Sequence, residues 1–429
     1  MTRRRWWIPV LLLIIITIDY MDRSNMSVAI PFIAKQFHFA PATEGVLLSS
    51  FLWSYIPLIL VWGYLSDRWG SRTVITVSSV IWSIMTFLTG VSGSFGAFLA
   101  ARLGLGVGEA GAFPAASRAV TEWSPASERG VAMSVYNAGL LLGPAFGTLA
   151  AAALVHAYGW PSPFYVFAGL GIVAGLVWWG IYRPPEQAGW LPDREREHIL
   201  ATRDVRRERP VVRMSILRLL AQGPMWGLLI TQGCLVYTLY LFLTWLPSYL
   251  YQARHLSLIQ VGWFGALPYF IGTVLSILIG LWSDRLMRGR DVTTGARRYL
   301  LIAMMFVSAV VLLEPFVSNF ALAETILILS QSTMQAALNI NYALTSDLLV
   351  DKESAGVTFG LAVVGGNIFG FLAPLLTGFI IQATGSYTAA FVLAGLLLIA
   401  GAVVSGLLSR RPLQPVETLK ETGPVPAAP

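Results

Sequence analysis

Asp19, Asp22 and Arg23 fall within the stretch TIDYMDRSNM, which interrupts an apolar run from Ile8 to about Ile33. At the centre of a membrane-spanning helix each charged side chain costs roughly 2.5–3.5 kcal/mol, so the three together cost about 8–10 kcal/mol. Helical spacing sets Asp19 beside Asp22 at i,i+3 and beside Arg23 at i,i+4. A salt bridge that only neutralises the helix is the plain reading. Against it, two carboxylates beside one arginine leave an acid over, and ionisable groups inside a membrane commonly mark proton or substrate routes. Arg102 and Glu109 form a second constellation, on one helix face and about 10 Å apart along its axis. At that separation they do not pair easily, so either each meets a group on another helix or the two belong to a static lock. Three acids and two arginines held inside a membrane suit the binding of an anion and the carriage of protons.

The elements that must hold these charges are membrane helices. Of the 429 residues 56% are hydrophobic and 12% charged, against about 25% charged in a typical soluble domain. Twelve apolar runs are long enough to cross a hydrocarbon core of about 30 Å: 8–33, 44–65, 73–92, 95–120, 130–156, 162–183, 224–251, 258–282, 299–317, 321–346, 356–383 and 387–409. The expected class is all-α. No small-residue cleavage site follows the first run, which is therefore expected to stay in the chain. All but four of the 29 Lys and Arg fall in the N-terminus, the even-numbered connections and the C-terminus; Lys35 and Arg254 lie on the other side, Arg23 and Arg102 within spans. By the positive-inside rule both termini are expected in the cytoplasm of a cell whose inner (plasma) membrane holds the chain. This placement accounts for the net charge of +7 without nucleic acid as a partner.

Other signals are weak. Cys234 lies inside the seventh run and reads as a small buried hydrophobe. His38, His156, His198 and His255 are isolated, so no metal site is expected. GVGEAG, from Gly106, has the form of a dinucleotide fingerprint but lies in a spanning run without a preceding strand; its glycines suit close helix packing. Asn25-Met26-Ser27 is a glycosylation sequon that a span would hide. There is no Walker loop, G-x-S-x-G elbow or H-E-x-x-H, and an enzyme is not supported.

A polar stretch separates six runs from six, giving an N-terminal six-helix bundle (1–183), a cytoplasmic linker (184–222), a C-terminal bundle (223–410) and a Pro-rich tail (411–429). The halves echo each other: GYLSDRWGSR from Gly63 answers GLWSDRLMRGR from Gly280, and ERGVAMSVYNAGLLLGPAFG from Glu128 answers ESAGVTFGLAVVGGNIFGFLAP from Glu353. Such parallel repeats are the mark of transporters that bind substrate between their halves near the midplane. GYLSDRWGSR also matches the G-x-L-x-D-R-x-G-x-R loop of the major facilitator superfamily through Gly63, Leu65, Asp67, Arg68, Gly70 and Arg72. YMDRSNMSVAIP, FLWSY, RLGLGVGEAGAFPAASRAVTEWSPASERG, LTWLPSYL and the Gly-rich segment 346–378 resemble the anion:cation symporter branch, which includes bacterial galactonate, glucarate and hexuronate transporters.

That resemblance implies roles. Asp22 and Glu109 would be the proton sites, and Arg23, with Tyr20, would hold the substrate anion; the first and fourth helices would line the central cavity, so that Arg102 and Glu109 face the first. Asp19 stands where relatives commonly have Asn. Tyr55, Tyr240, Asn341 and Asn367 are candidates to grip the substrate, with packing or interhelical bonding as the plain alternative. Relatives often carry Gln where Ile59 and Leu140 stand, and that drier pocket suggests a less hydroxylated anion than a sugar acid. Gly63, Asp67, Arg68, Arg72, Glu128, Arg129, Asp284 and Arg285 would form a cytoplasmic gate that latches the outward-facing state. The expected protein is a monomeric importer of a small organic anion, coupled to protons in the lipid bilayer, with no cofactor beyond the coupling ion. An exporter would share the loop motif but has less need of Arg23. A membrane anion sensor would need a signalling domain that the linker and tail are too short to supply.

Overall fold

The structure, a computed structural model, describes residues 3–203, 216–287, 295–349 and 355–413. Residues 204–215 of the linker, 414–429 of the tail and the side chain of the gate candidate Asp284 lie outside the described residues. Among those described, the chain is helical apart from one isolated bridge, Leu349 to Leu413.

Twelve helical passes follow in order. The first is Trp7–Phe37; Pro41–Gly90 supplies the second and third, divided at Gly70. Phe95–Glu109 and Ala112–Trp123 form the fourth, Arg129–Asn137 and Gly139–Tyr158 the fifth, and Ser162–Ile181 the sixth. After a surface helix, Asp193–Thr202, and the short Ile216–Leu220, the seventh is Gly223–Gln252 and the eighth Leu258–Met287. The ninth, Ala296–Ser308, tightens into a 3-10 stretch, Ala309–Phe316; the last three are Phe320–Leu348, Ala355–Thr384 and Thr388–Leu408. Gly70 has φ +75°, a conformation that side chains bearing a Cβ rarely adopt, and this lets the loop motif turn the chain back into the third span. Ser94 and Asn319 cap their helices by accepting from Ala97 N and Leu322 N.

Among the described residues, eight helices are long and apolar enough to cross a membrane, with the second and third spans counted as one. The first, fourth and tenth spans fall outside that set. The first carries Asp19, Asp22 and Arg23, the fourth is loosened after Glu109, and the tenth is interrupted by Glu324, Gln331, Gln335 and Asn341. Low apolarity thus coincides with the polar groups that a transport pathway needs.

Small residues bring these spans together. Gly139, Gly143 and Gly147 form a stripe on the fifth span; a Cβ on Gly143 would stand 2.3 Å from Tyr20 Cβ, and one on Gly147 2.3 Å from Ser24 Oγ. Close approach of this kind drives helix association where lipid removes the hydrophobic difference. On the fourth span a Cβ on Gly106 would lie 2.0 Å from Phe51 O, and one on Gly108 2.5 Å from Trp82 N. The glycines of GVGEAG therefore pack the fourth span against the second and third.

The halves meet on the face away from the termini. In one seam, between the second and eleventh spans, a Cβ on Gly45 would meet Pro374 O at 2.6 Å, and Ala42 N donates to Gln382 Oε1 at 3.2 Å. In the other, between the fifth and eighth, Gly262 and Gly265 lie against Ala152 and Thr148. Toward the terminal face, Gly63, Gly130, Gly280 and Gly360 of the same four helices have open space where a Cβ would stand. Among the described residues, these close contacts between the halves lie on the face away from the termini.

Candidate functional site

The charges named from the sequence converge at the junction of the halves. Asp19, Asp22, Arg23, Arg102 and Glu109 are each at most 3% exposed. Arg23 Nε donates to Glu109 Oε2 at 2.8 Å, and Arg23 Nη2 stands 3.6 Å from Asp19 Oδ2, too far for a hydrogen bond. Glu109 therefore has its partner on the first span, the helix that the resemblance had it face. Its other oxygen, both oxygens of Asp19, Asp22 Oδ2 and Arg23 Nη2 make no hydrogen bond. Asn25 Nδ2 donates to Asp22 Oδ1 at 3.3 Å. Arg102 donates through Nε to Leu47 O at 3.4 Å on the second span, with Glu109 and Asp22 the acids within its electrostatic reach.

Aromatic rings enclose the guanidinium of Arg23. It lies 4.2 Å from the ring centre of Tyr20, 5.0 Å from Tyr55 and 5.4 Å from Phe51. Phe51 also faces Arg102, at 5.0 Å, and its ring is 6.3 Å from that of Tyr240 on the other half. Tyr55 and Tyr240 turn their hydroxyls toward Arg23. Rings that present their faces to a cation hold it without neutralising it, so it remains available to an anion. Phe51 was missed in the sequence, where a phenylalanine in an apolar run gives no signal.

Just beyond Glu109 the hydrogen bonding of the fourth span loosens for a turn at Ala110 and Gly111, whose backbone stays right-handed helical. Trp62 Nε1 donates to Val107 O at 2.7 Å and Ser78 Oγ donates to Gly108 O, so the second and third spans satisfy carbonyls beside this turn. Glu109 is thus held beside a turn whose carbonyls are tied to two other spans.

The asparagines separate. Asn341 is fully buried; its Nδ2 donates to Gln232 Oε1 at 2.8 Å and Leu228 O at 3.4 Å on the seventh span, while its Oδ1 makes no hydrogen bond. Asn367 is half-buried and donates to Val363 O of its own helix at 2.9 Å. Tyr240 packs beside it, against Gly370.

The family model for the Major Facilitator Superfamily matches residues 12–294. This chain belongs to the Major Facilitator Superfamily. A probable galactarate/D-glucarate transporter of Escherichia coli (strain K12) is 32% identical over 443 residues, covering 97% of this chain and 96% of the relative. A probable sulfoacetate transporter of Cupriavidus necator is 31% identical, covering 90% of each chain. The crystal structure of a bacterial homolog to the human lysosomal transporter Spinster, in an inward-facing and occupied conformation, is 20% identical with a TM-score of 0.76, covering 96% of this chain and 98% of that one. These relatives are transporters, and an enzyme reading has no support.

The charged residues of the loop motif lie at the surface of the terminal face. Asp67 is exposed and its carboxylate meets Arg118 at 3.1 Å; Arg68 and Arg285 are exposed. Glu128 pairs with Arg5, through Nε and Nη2 both at 2.8 Å, and Arg129 keeps Nε and Nη2 buried without a partner. Arg5 also donates to Glu195 Oε1 from Nη1 at 3.0 Å, and Trp7 stacks on Trp190 at 5.6 Å, so the N-terminal arm is clasped to the surface helix. This clasp was not read from the sequence, which gives no pairing for an N-terminal arginine.

The Arg5 hydrogen bonds hold the Glu128 carboxyl below its ordinary value. A carboxyl so lowered contributes stability at neutral pH that is lost as pH falls through its folded value. Arg5→Ala is therefore expected to lower the melting temperature at pH 7, by the equivalent of about 1 kcal/mol for a partly exposed pair, and by less in acid. Identical melting of the two proteins at pH 7 would show that the clasp stabilises nothing.

Sequence reasoning also missed three carboxylates on the face away from the termini. Glu314 receives Arg254 Nη2 at 2.7 Å and Tyr249 OH at 2.5 Å, while Glu324 and Glu44 are buried with oxygens that make no hydrogen bond. Their place inside apolar runs was the available signal. Tyr387 OH donates to Gln252 Oε1 at 2.7 Å and its ring meets Tyr249 at 5.4 Å, which adds a polar layer where the halves are closed.

Proposed function

We propose that the protein imports a small organic anion together with protons by alternating access, as a monomer in the inner (plasma) membrane with both termini in the cytoplasm. The observation that carries this reading is the buried Arg23–Glu109 pair at the junction of the halves, with unpartnered carboxylate oxygens around it. Removing one partner of a buried pair is costly, about 3–5 kcal/mol, because the other charge is stranded. Protonation of Glu109 takes away the anion that Arg23 holds, and a substrate carboxylate takes its place. Proton and substrate thus favour each other's binding, while the empty carrier closes the pair again. Asp22, held through one oxygen by Asn25, carries a second proton. Tyr20, Tyr55 and Tyr240 grip the bound anion, Tyr240 reporting occupancy to the other half. The closed seams between the halves lie on the face away from the termini, which in this reading is the external one, so the conformation is inward-facing.

Relatives named as transporters of galactarate or glucarate and of sulfoacetate set the substrate class. Ile59 and Leu140 pack against the core and offer no hydrogen bond, which favours an anion with fewer hydroxyls than a sugar acid. Sulfoacetate has that character.

The response of transport to voltage is expected to depend on the charge of the anion. If Asp22 and Glu109 both load, one net positive charge enters with a monoanion, and the membrane potential adds about 2.3 kcal/mol per 100 mV to its accumulation, whereas a dianion such as sulfoacetate enters without net charge. Uptake into proteoliposomes at a fixed pH gradient, with an imposed potassium diffusion potential, reads this directly. Uptake of a monoanion that ignores the potential rejects the two-proton scheme.

A further inference from the structure

At the terminal-face end of the third and sixth spans, two guanidinium groups converge on one carbonyl. Arg72 donates to Trp179 O through Nε at 3.0 Å and Nη2 at 2.8 Å, and Arg183 Nη1 donates to the same oxygen at 2.8 Å and to Tyr182 O at 2.8 Å. The Arg72 guanidinium lies 3.8 Å over the Trp179 ring. Several arginines of this face have carboxylate partners, Arg5 with Glu128, Arg118 with Glu122 and Arg297 with Asp347, while Arg129 stands alone. Among the described residues Arg72 and Arg183 have none. A carbonyl carries only a partial charge, so the repulsion between the two cations is left uncompensated.

The surface leading away from this pair is apolar and uncovered. Val173 and Leu176 of the sixth span are 57% and 58% exposed, and Val77 and Ile84 of the third are exposed beside them in the sequence pattern of a lipid-facing stripe. Thr76 Oγ1 approaches Gly175 O at 3.4 Å, so the two spans are packed together below the arginines. Trp179 is exposed where the apolar surface ends, the place where tryptophans collect at membrane interfaces.

We propose that Arg72 and Arg183 bind the phosphate of an anionic phospholipid in the leaflet on the terminal face, with its acyl chains along Val173 and Leu176. A free phosphate could use the same donors, but it has no use for the apolar surface. Basic groups at the cytoplasmic ends of membrane helices recognise anionic headgroups in this way. The lipid supplies the charge that the protein does not, and leaves the stacked guanidinium in place.

Native mass spectrometry of the purified full chain, titrated with phosphatidylglycerol or phosphatidylethanolamine, tests this. Wild type is expected to retain phosphatidylglycerol in preference to phosphatidylethanolamine, Arg183→Gln to lower that retention about fivefold, and Arg183→Lys to keep most of it. Millimolar inorganic phosphate is expected not to displace the lipid. Equal retention of the two lipids by wild type, or unchanged preference in a monodisperse Arg183→Gln protein, overturns the proposal. Displacement by inorganic phosphate overturns the assignment to lipid and makes the pair a site for a soluble anion.

Discussion

Replacing Arg23 by lysine is expected to weaken binding of the anion by about 10- to 100-fold although the charge is kept, because a charge-assisted hydrogen bond is worth about 1.5–3 kcal/mol and an ammonium cannot reproduce a planar fork. Arg23 uses one edge for Glu109, through Nε, while Nη2 makes no hydrogen bond. It also lies against Tyr20 and within reach of Tyr55 and Phe51, where a flat cation stacks and a compact one does not. A substrate carboxylate approaching a guanidinium can take two parallel hydrogen bonds. Calorimetric titration of the purified protein with sulfoacetate and with glucarate measures the change. Wild-type affinity in Arg23→Lys would mean that Arg23 serves only to neutralise its helix.

Much of this site was legible in the sequence because charge inside a membrane is expensive. Asp19, Asp22, Arg23, Arg102 and Glu109 announced themselves by standing in apolar runs, and the structure brings them together. The loop motif and the two echoes pointed to a fold that the family match places in the Major Facilitator Superfamily. What was not legible depends on packing. Phe51 bridges Arg23 and Arg102, yet a phenylalanine has no charge to betray its role. Asn341 is a substrate candidate by type, and its donation to Gln232 on the seventh span is decided only by the relative rotation of two helices. The loosened turn after Glu109 depends on Trp62 and Ser78, side chains from two other spans. Glu314, Glu324 and Glu44 carried a readable signal that the count of intramembrane charges passed over.

Glu109→Gln is expected to separate binding from pumping. Glutamine fills the same space and cannot titrate, so Arg23 is left without the carboxylate that closes it in the empty carrier. The variant should bind substrate and exchange it across the membrane, since neither step needs net proton movement. It should lose much of its accumulation against a gradient, where each coupled proton is worth about tenfold per pH unit. Asp22→Asn should behave alike if the second proton rides there. Exchange provides the control for folding, because a protein that does not fold does neither.

Concentrative uptake by proteoliposomes carrying wild type or Glu109→Gln, alkaline inside, with counterflow of preloaded substrate measured on the same vesicles, tests most directly whether the Arg23–Glu109 pair couples protons to the anion. The account predicts that wild type accumulates substrate under the pH gradient while Glu109→Gln, left with the Asp22 proton alone, accumulates far less, with counterflow retained. Accumulation by Glu109→Gln equal to that of wild type under the same gradient would contradict it.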